Sequence, residues 1–214
     1  MRYPDARNVP GAIYRSSDVT GPLAPPGTYQ VRLTVGEHTT TQPFILQKDP
    51  RVTKGDDDLH TQFAFLIEVR DRLSEVNDAI NKLRRIREEA QGWETRASGH
   101  AGSAPITEAV KTLVDGLSEI EAELIQTRWK SSRDALTAPS KLNVRLATLM
   151  GIASGADAAP TAQAREVFTS VSTRVGEQLA RLNALLTREV PRFNALVRAQ
   201  ELLALTVPGA GDSA

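Results

Sequence analysis

The stretch 59–83, LHTQFAFLIEVRDRLSEVNDAINKL, decides the fold class, because its apolar residues recur at gaps of three and four. These residues are Leu59, Phe63, Leu66, Val69, Leu73, Val76, Ile80 and Leu83. Such gaps place the side chains on one face of an α-helix, and we predict a helix of roughly 30 residues, about 45 Å long, starting near Thr53. Thr53 and Asp56 resemble a capping box. The acidic run Asp56–Asp58 and the basic run Arg84–Arg87 would complement the dipole of this helix.

Two more long helices and one short helix follow. The second long helix has a heptad-like seam, and its residues are Ile106, Val110, Leu113, Leu117, Ile120 and Leu124. Thr161 can cap the third, and its stripe is Phe168, Val171, Val175, Leu179, Leu182 and Leu186. The residues 92–105 form a Gly/Ser/Ala-rich connection, Ser140 would cap the short helix through Leu149, and Pro191 either kinks the third long helix or begins a new one. The predicted fold is mainly α, an antiparallel bundle with long helices.

A small β segment precedes the helices, in PPGTYQVRLTVGEHTTTQPFILQKDPR (25–51). Four apolar residues alternate with polar ones and predict a strand with one buried face; they are Tyr29, Val31, Leu33 and Val35. Gly36 and Glu37 suit a two-residue turn, which would place Tyr29 opposite Phe44 with Leu46 on the same side. A further strand is predicted at 12–15. With room for three or four strands, the segment amounts to an incomplete antiparallel Ig-like sandwich, since a full one takes about seven strands.

Composition excludes several classes of function. Lys and Arg together number 26, as do Asp and Glu, so the formal net charge is zero. A basic surface for nucleic acid or an anionic membrane is therefore not expected. The chain contains no cysteine, which excludes disulfides, thiolate metal sites and a cysteine nucleophile. Residues 1–14 lack the apolar core of a signal peptide, and no run approaches the ~20 apolar residues of a membrane span.

No set of side chains predicts a catalytic, cofactor-binding or metal site. The three histidines are His38, His60 and His100. His60 lies near Asp56–Asp58, but the spacing matches no recognised ligand set, and the helix dipole explains the acidic residues. The turn SSDVTG (16–21) departs from the Asp-box pattern of β-propellers, because its glycine comes one place late and no tryptophan follows. Trp93 and Trp129 are interpreted as core or helix-end packing rather than as exposed contact residues.

Several segments, in order, resemble one family. They are RYPDAR (2–7), APPGTYQVRLTV (24–35), TQPFILQKDPRV (41–52), RDRLSEVNDAI (70–80), KLNVRLATL (141–149) and VPRFNALV (190–197). The series is similar to the C-terminal region of bacterial sortilin-like (VPS10-like) BNR-repeat proteins, often labelled glycosyl hydrolases. In that family a β-propeller is followed by an Ig-like sandwich and a helical segment. The propeller and its Asp-boxes have no counterpart here, so no catalytic residue carries over.

Together, the patterns and the resemblance predict a partial Ig-like segment at 1–52, a helical bundle at 53–207 and a disordered tail at 208–214. We expect the hairpin to close a sandwich whose first strands lie outside this chain. The implied function is a non-catalytic accessory or interaction module, with a protein partner or self-association through the helices and no cofactor. Two alternatives stay open: part of a glycoside hydrolase whose catalytic propeller is missing, or a free-standing helical adaptor. The resemblance suggests export to the periplasm or cell exterior.

Overall fold

The computed structural model describes residues 1–14, 19–98, 102–136 and 138–199. Two strands, β1 (Gly27–Val35) and β2 (His38–Leu46), come first. The helices α1 (Asp56–Ala97), α2 (Ala104–Leu124), α3 (Leu142–Ala153) and α4 (Ala162–Ala199) follow, with a 3₁₀ helix at Ser132–Leu136 between α2 and α3. Across these residues the protein is mainly helical with one small antiparallel sheet. This confirms the predicted class of a mainly α protein with a small β segment, and the Ig-like character of that segment stays a prediction.

The predicted apolar stripes are largely buried. All six residues of the α2 seam are at most 2% exposed, and the α1 stripe is fully buried from Val69 to Leu83. Near the start of α1 the fully buried ring is Phe65, whereas Phe63 is half-buried. On α4 the buried side chain is Leu185 rather than the half-buried Leu186. The period of 3.6 residues therefore identified the buried faces with shifts of one or two positions.

The predicted ends of α1 are wrong. The helix begins at Asp56, and the Gly55 carbonyl accepts its first bond, so Thr53 is not the cap. It has 42 residues and continues through Gly92, where a connection was predicted, to Ala97. Burial of Ala90 and Ala97 offsets the roughly 1 kcal/mol that a helical glycine costs relative to alanine. The basic run at 84–87 consequently lies inside the helix rather than at its end.

The other helix ends agree only in part with the predictions. The hydroxyl of Thr161 accepts a bond from the Ala164 amide (3.1 Å) and so caps α4, as predicted. At α3 the cap position is Lys141 rather than Ser140, and no side chain caps it. Helix α4 neither ends nor restarts at Pro191, and Phe193 is buried two residues later.

The hairpin has the predicted register. Tyr29 pairs with Phe44, Val35 pairs with His38, and Gly36 has a φ of 59°, a left-handed conformation that glycine adopts without strain. The predicted strand at 12–15 is wrong for its described residues 12–14, which are not extended in a sheet. Two strands make up the sheet in the described part of the chain, and an isolated bridge joins Arg2 to Leu23.

The chain divides into two compact units. The first comprises Met1–Ile80 and Ala122–Glu177, and the second comprises Asn81–Glu121 and Gln178–Ala214. The predicted division between 1–52 and 53–207 stays a prediction, and the predicted tail at 208–214 lies outside the described residues.

In the first unit, the N-terminal segment packs on α1. Asn77 is fully buried and donates to the Arg7 carbonyl (2.6 Å), while Val9 is fully buried nearby in the sequence. Gly21 is needed because a Cβ there would lie 2.0 Å from the Tyr3 carbonyl oxygen. These contacts anchor residues 1–14 to the helical part of the same unit.

In the second unit, a buried carboxylate joins two helices. Glu121 of α2 has a side chain 6% exposed, and its two oxygens lie 2.7 Å from Arg84 Nε and 2.6 Å from Arg87 Nη2 of α1. The arginines of the basic run therefore neutralise Glu121 instead of complementing the α1 dipole.

Candidate functional site

The histidines considered in the sequence do not form a metal site in the described residues. His38 is exposed next to the hairpin turn, and His60 Nδ1 lies 2.8 Å from the Asp56 carbonyl oxygen in the first turn of α1. No group of three or more His, Cys, Asp or Glu side chains is arranged to hold a metal ion within the ranges that the structure describes. His100 and residues 16–18 of the SSDVTG turn lie outside those ranges.

The two tryptophans lie where packing was expected. Trp129 is 7% exposed in the first unit. Trp93 is half-buried in the second unit, near the end of α1, and the Arg96 guanidinium lies 3.9 Å from the centre of its ring.

The base of the hairpin is anchored by aromatic rings. Tyr29 stacks on Phe44 with ring centres 5.9 Å apart, and Tyr3 packs against Phe63 of α1 at 4.6 Å. The Tyr29 hydroxyl donates to the Pro25 carbonyl (2.7 Å). Burial raises the pKa of Tyr29, and the neighbouring Tyr3 acts in the same direction. Tyr29 is thus joined to Phe44 within the hairpin and, through its neighbour Tyr3, to Phe63 of α1.

The rest of the hairpin exposes an apolar surface, which we call the exposed hairpin face: Val31, Leu33 and Val35. Their exposures are 56%, 66% and 66%. The prediction that this side of β1 is buried is therefore wrong beyond Tyr29. The physical reason is that the two-stranded sheet has no further strand or packed layer over it in the described residues.

A second surface is a groove of about 740 Å³ between α3 and the first half of α4, which we call the α3–α4 groove. One face of each helix lines it, since its α3 residues and its α4 residues recur at helical gaps. Leu149 and Val171 form a buried floor, 5% and 3% exposed, while Ile152 and Val167 form walls that are 69% and 47% exposed. Both helices belong to the first unit.

One end of this groove is basic. Glu123 pairs with Lys141 and with Arg174, each at 3.2 Å, and all three line a small cavity that shares Arg145 with the groove. The small cavity is therefore lined by three cationic side chains, those of Lys141, Arg145 and Arg174, and by one carboxylate, that of Glu123. Within the described chain, the guanidinium of Arg145 has no ion-pair or hydrogen-bond partner. The groove therefore joins an apolar surface to an available positive charge.

Sequence reasoning did not identify this groove. The sequence does not distinguish Arg145 from the other arginines, because its place at the end of a groove depends on the packing of α3 beside α4. Ile152 and Val167 did carry a weak signal, because both are large apolar residues outside the predicted stripes.

Comparison with protein-family models, with curated proteins and with solved structures found no match to this chain. Within the described residues, none of the helices combines the length and apolarity needed to cross a membrane.

Proposed function

We propose that this chain is a non-catalytic accessory module that docks on a β-domain through its hairpin, with the helices acting as a spacer or a second contact surface. The exposed hairpin face is the observation that carries the proposal. Three apolar side chains in a row on a strand, each more than half exposed, are typical of a surface that another protein layer covers.

The backbone of the hairpin also favours a partner that contains a β-sheet. Each strand has nine residues, and the outer edge of each lacks a neighbouring strand in the described part of the chain. Unpaired N–H and C=O groups along such an edge form hydrogen bonds readily with an added strand. A two-stranded hairpin gains stability from additional strands or a packed layer. We therefore infer that the occupant is the sheet of an Ig-like sandwich, as the family resemblance implies.

Site-specific photo-crosslinking in the cells that produce the protein tests this proposal. A benzophenone amino acid replaces Leu33 on the exposed hairpin face, and the matched control replaces Leu136, which is 81% exposed in the 3₁₀ helix of the same unit. We expect Leu33 to crosslink to a β-strand, identified by peptide mass spectrometry, at much higher yield than Leu136. Equal yields from both positions, or crosslinks from Leu33 to helical segments alone, would contradict the proposal.

The hairpin substitution Leu33→Thr provides a second test. Threonine has a β-branched side chain that suits a strand, and it removes most of the apolar surface at this position. Because Leu33 is already 66% exposed, the chain should keep its thermal stability while the crosslinking yield from neighbouring Val35 falls. An unchanged yield would show that apolar contact at Leu33 does not contribute to docking.

A further inference from the structure

The α3–α4 groove combines features of a small-molecule site. Its volume of about 740 Å³ lies within the roughly 300–1,000 Å³ typical of ligand pockets. The floor and walls are apolar, and the charged groups lie at defined positions rather than around the whole rim. This site is separate from the hairpin in the sequence and does not depend on the function proposed above.

The charges differ along the groove. Arg145 belongs both to the groove and to the small cavity that Arg174 lines, whereas Glu166 lines the groove alone. Glu166 and Arg174 are eight residues apart on α4, roughly 12 Å at about 1.5 Å per residue. A negative ligand group would therefore be attracted to the Arg145 end and repelled from the other.

We propose that the α3–α4 groove binds a long-chain carboxylate, with its head group on Arg145 and its alkyl chain along Leu149, Ile152, Val167 and Val171. A single guanidinium without a protein partner in the described residues matches one carboxylate, which it can bind through two parallel hydrogen bonds. Lys141 and Arg174 share Glu123 and add positive potential without being required as direct ligands. The alkyl chain covers Ile152 and Val167, which water otherwise contacts.

The test is an NMR titration of the ¹⁵N-labelled chain with decanoate, kept below the concentration at which micelles form. Decyltrimethylammonium, which has the same chain length and the opposite charge, is the ligand control. We expect decanoate to shift the amide signals of Thr148 and Val167 and to bind more tightly than the cation. Octanoate is two methylene groups shorter and should bind at least about fourfold more weakly, which is the effect of losing the burial of one of the two.

Two variants separate the head-group contact from the chain contact. Arg145→Gln should weaken decanoate binding by about tenfold, because it removes a charge-assisted pair, and should reduce the preference over the cation, which Lys141 and Arg174 then maintain only in part. Val167→Asn should weaken both ligands and leave the preference intact. Arg133→Gln is the matched control, since Arg133 is an exposed arginine of the same unit that does not line the groove, and its affinity should stay within about twofold of wild type.

Each variant is at an exposed position, so loss of folding is not expected to obscure the result. The proposal would be overturned by any one of the following results. These are equal affinity for decanoate and the cation, unchanged decanoate affinity in Arg145→Gln, or signal shifts that lie outside α3 and α4. Absence of saturable decanoate binding below the micelle concentration would overturn it as well.

Discussion

Replacing Glu121 with alanine should lower the stability of the second unit strongly. The Glu121 carboxylate is 6% exposed, and its two oxygens bind Arg84 and Arg87 at 2.7 and 2.6 Å. Removing one partner of a buried ion pair typically costs ~3–5 kcal/mol, because the remaining charge is left without compensation. Here the arginine side chains are 33% and 21% exposed, so water can solvate them in part. We therefore expect a loss of about 3 kcal/mol, at the low end of that range.

The assay is urea unfolding of the full chain, followed by tryptophan fluorescence in a Trp129→Phe background. This background leaves Trp93, which lies in the second unit, as the fluorescent reporter. Separate readout matters because two compact units need not unfold in one transition. The free energy of unfolding is obtained from the transition midpoint and its slope.

Glu119→Ala provides the matched control in the same helix. Glu119 pairs with Arg181 at 3.3 Å, but its side chain is 71% exposed, so this pair should contribute no more than about 1 kcal/mol. The reasoning about burial would be refuted if the two substitutions lowered the free energy of unfolding by the same amount.

Three other predictions concern the first unit. Gly21→Ala should cost ~1–3 kcal/mol, because the new Cβ would lie 2.0 Å from the Tyr3 carbonyl oxygen and the backbone would have to move; urea unfolding read from Trp129 in a Trp93→Phe background measures this. Asn77→Ala should cost ~1–3 kcal/mol and release the N-terminal segment, which faster hydrogen exchange at Ala6 would report, whereas unchanged exchange would contradict the packing described. The backbone amides of Lys130 and Ser131 donate to the Asp134 carboxylate and hold its pKa below the usual value of 3.8. The ionised carboxylate therefore stabilises its turn at neutral pH, and this stabilisation is lost as the pH falls through the lowered pKa. An NMR titration that finds the usual pKa for Asp134 would contradict this prediction.

Residues 1–14 also bear on the alternative of a free-standing adaptor. That alternative predicts that residues 1–50 can be deleted without loss of bundle stability. Val9 is fully buried and Asn77 is bonded to the Arg7 carbonyl, so removal of residues 1–14 should destabilise the first unit. The outer part of the hairpin is exposed instead, and its truncation should affect stability much less.

Local patterns were sufficient to locate the hairpin and the long helices, but not the ends of α1, and they predicted a strand at 12–15 that the described residues 12–14 do not form. Apolar gaps of three and four identified the helices because side chains one turn apart share a face, whatever the neighbouring element is. The hairpin register was predictable as well, since Gly36 allows the left-handed turn conformation that places Tyr29 opposite Phe44. The Thr161 cap was equally local, because its bond reaches an amide three residues away.

The sequence was insufficient to predict features that depend on packing between segments far apart in the chain. Alternation in β1 predicted a buried face for Val31 and Leu33, but burial requires a second layer, and alternation does not say whether one is present. The candidate groove was equally hidden, because Arg145 acquires its role from helix α4 and not from its sequence neighbours.

The sequence by itself determined that most of the chain is helical, where the hairpin lies and which faces of the helices are apolar, since those properties depend on residue spacing over a few turns. The tertiary structure alone decided that Arg84 and Arg87 neutralise Glu121, that α1 continues past Gly92, and that Arg145 stands at the end of an apolar groove. These features depend on charges and apolar surfaces from segments far apart in the chain, whose distances are set only when the helices pack.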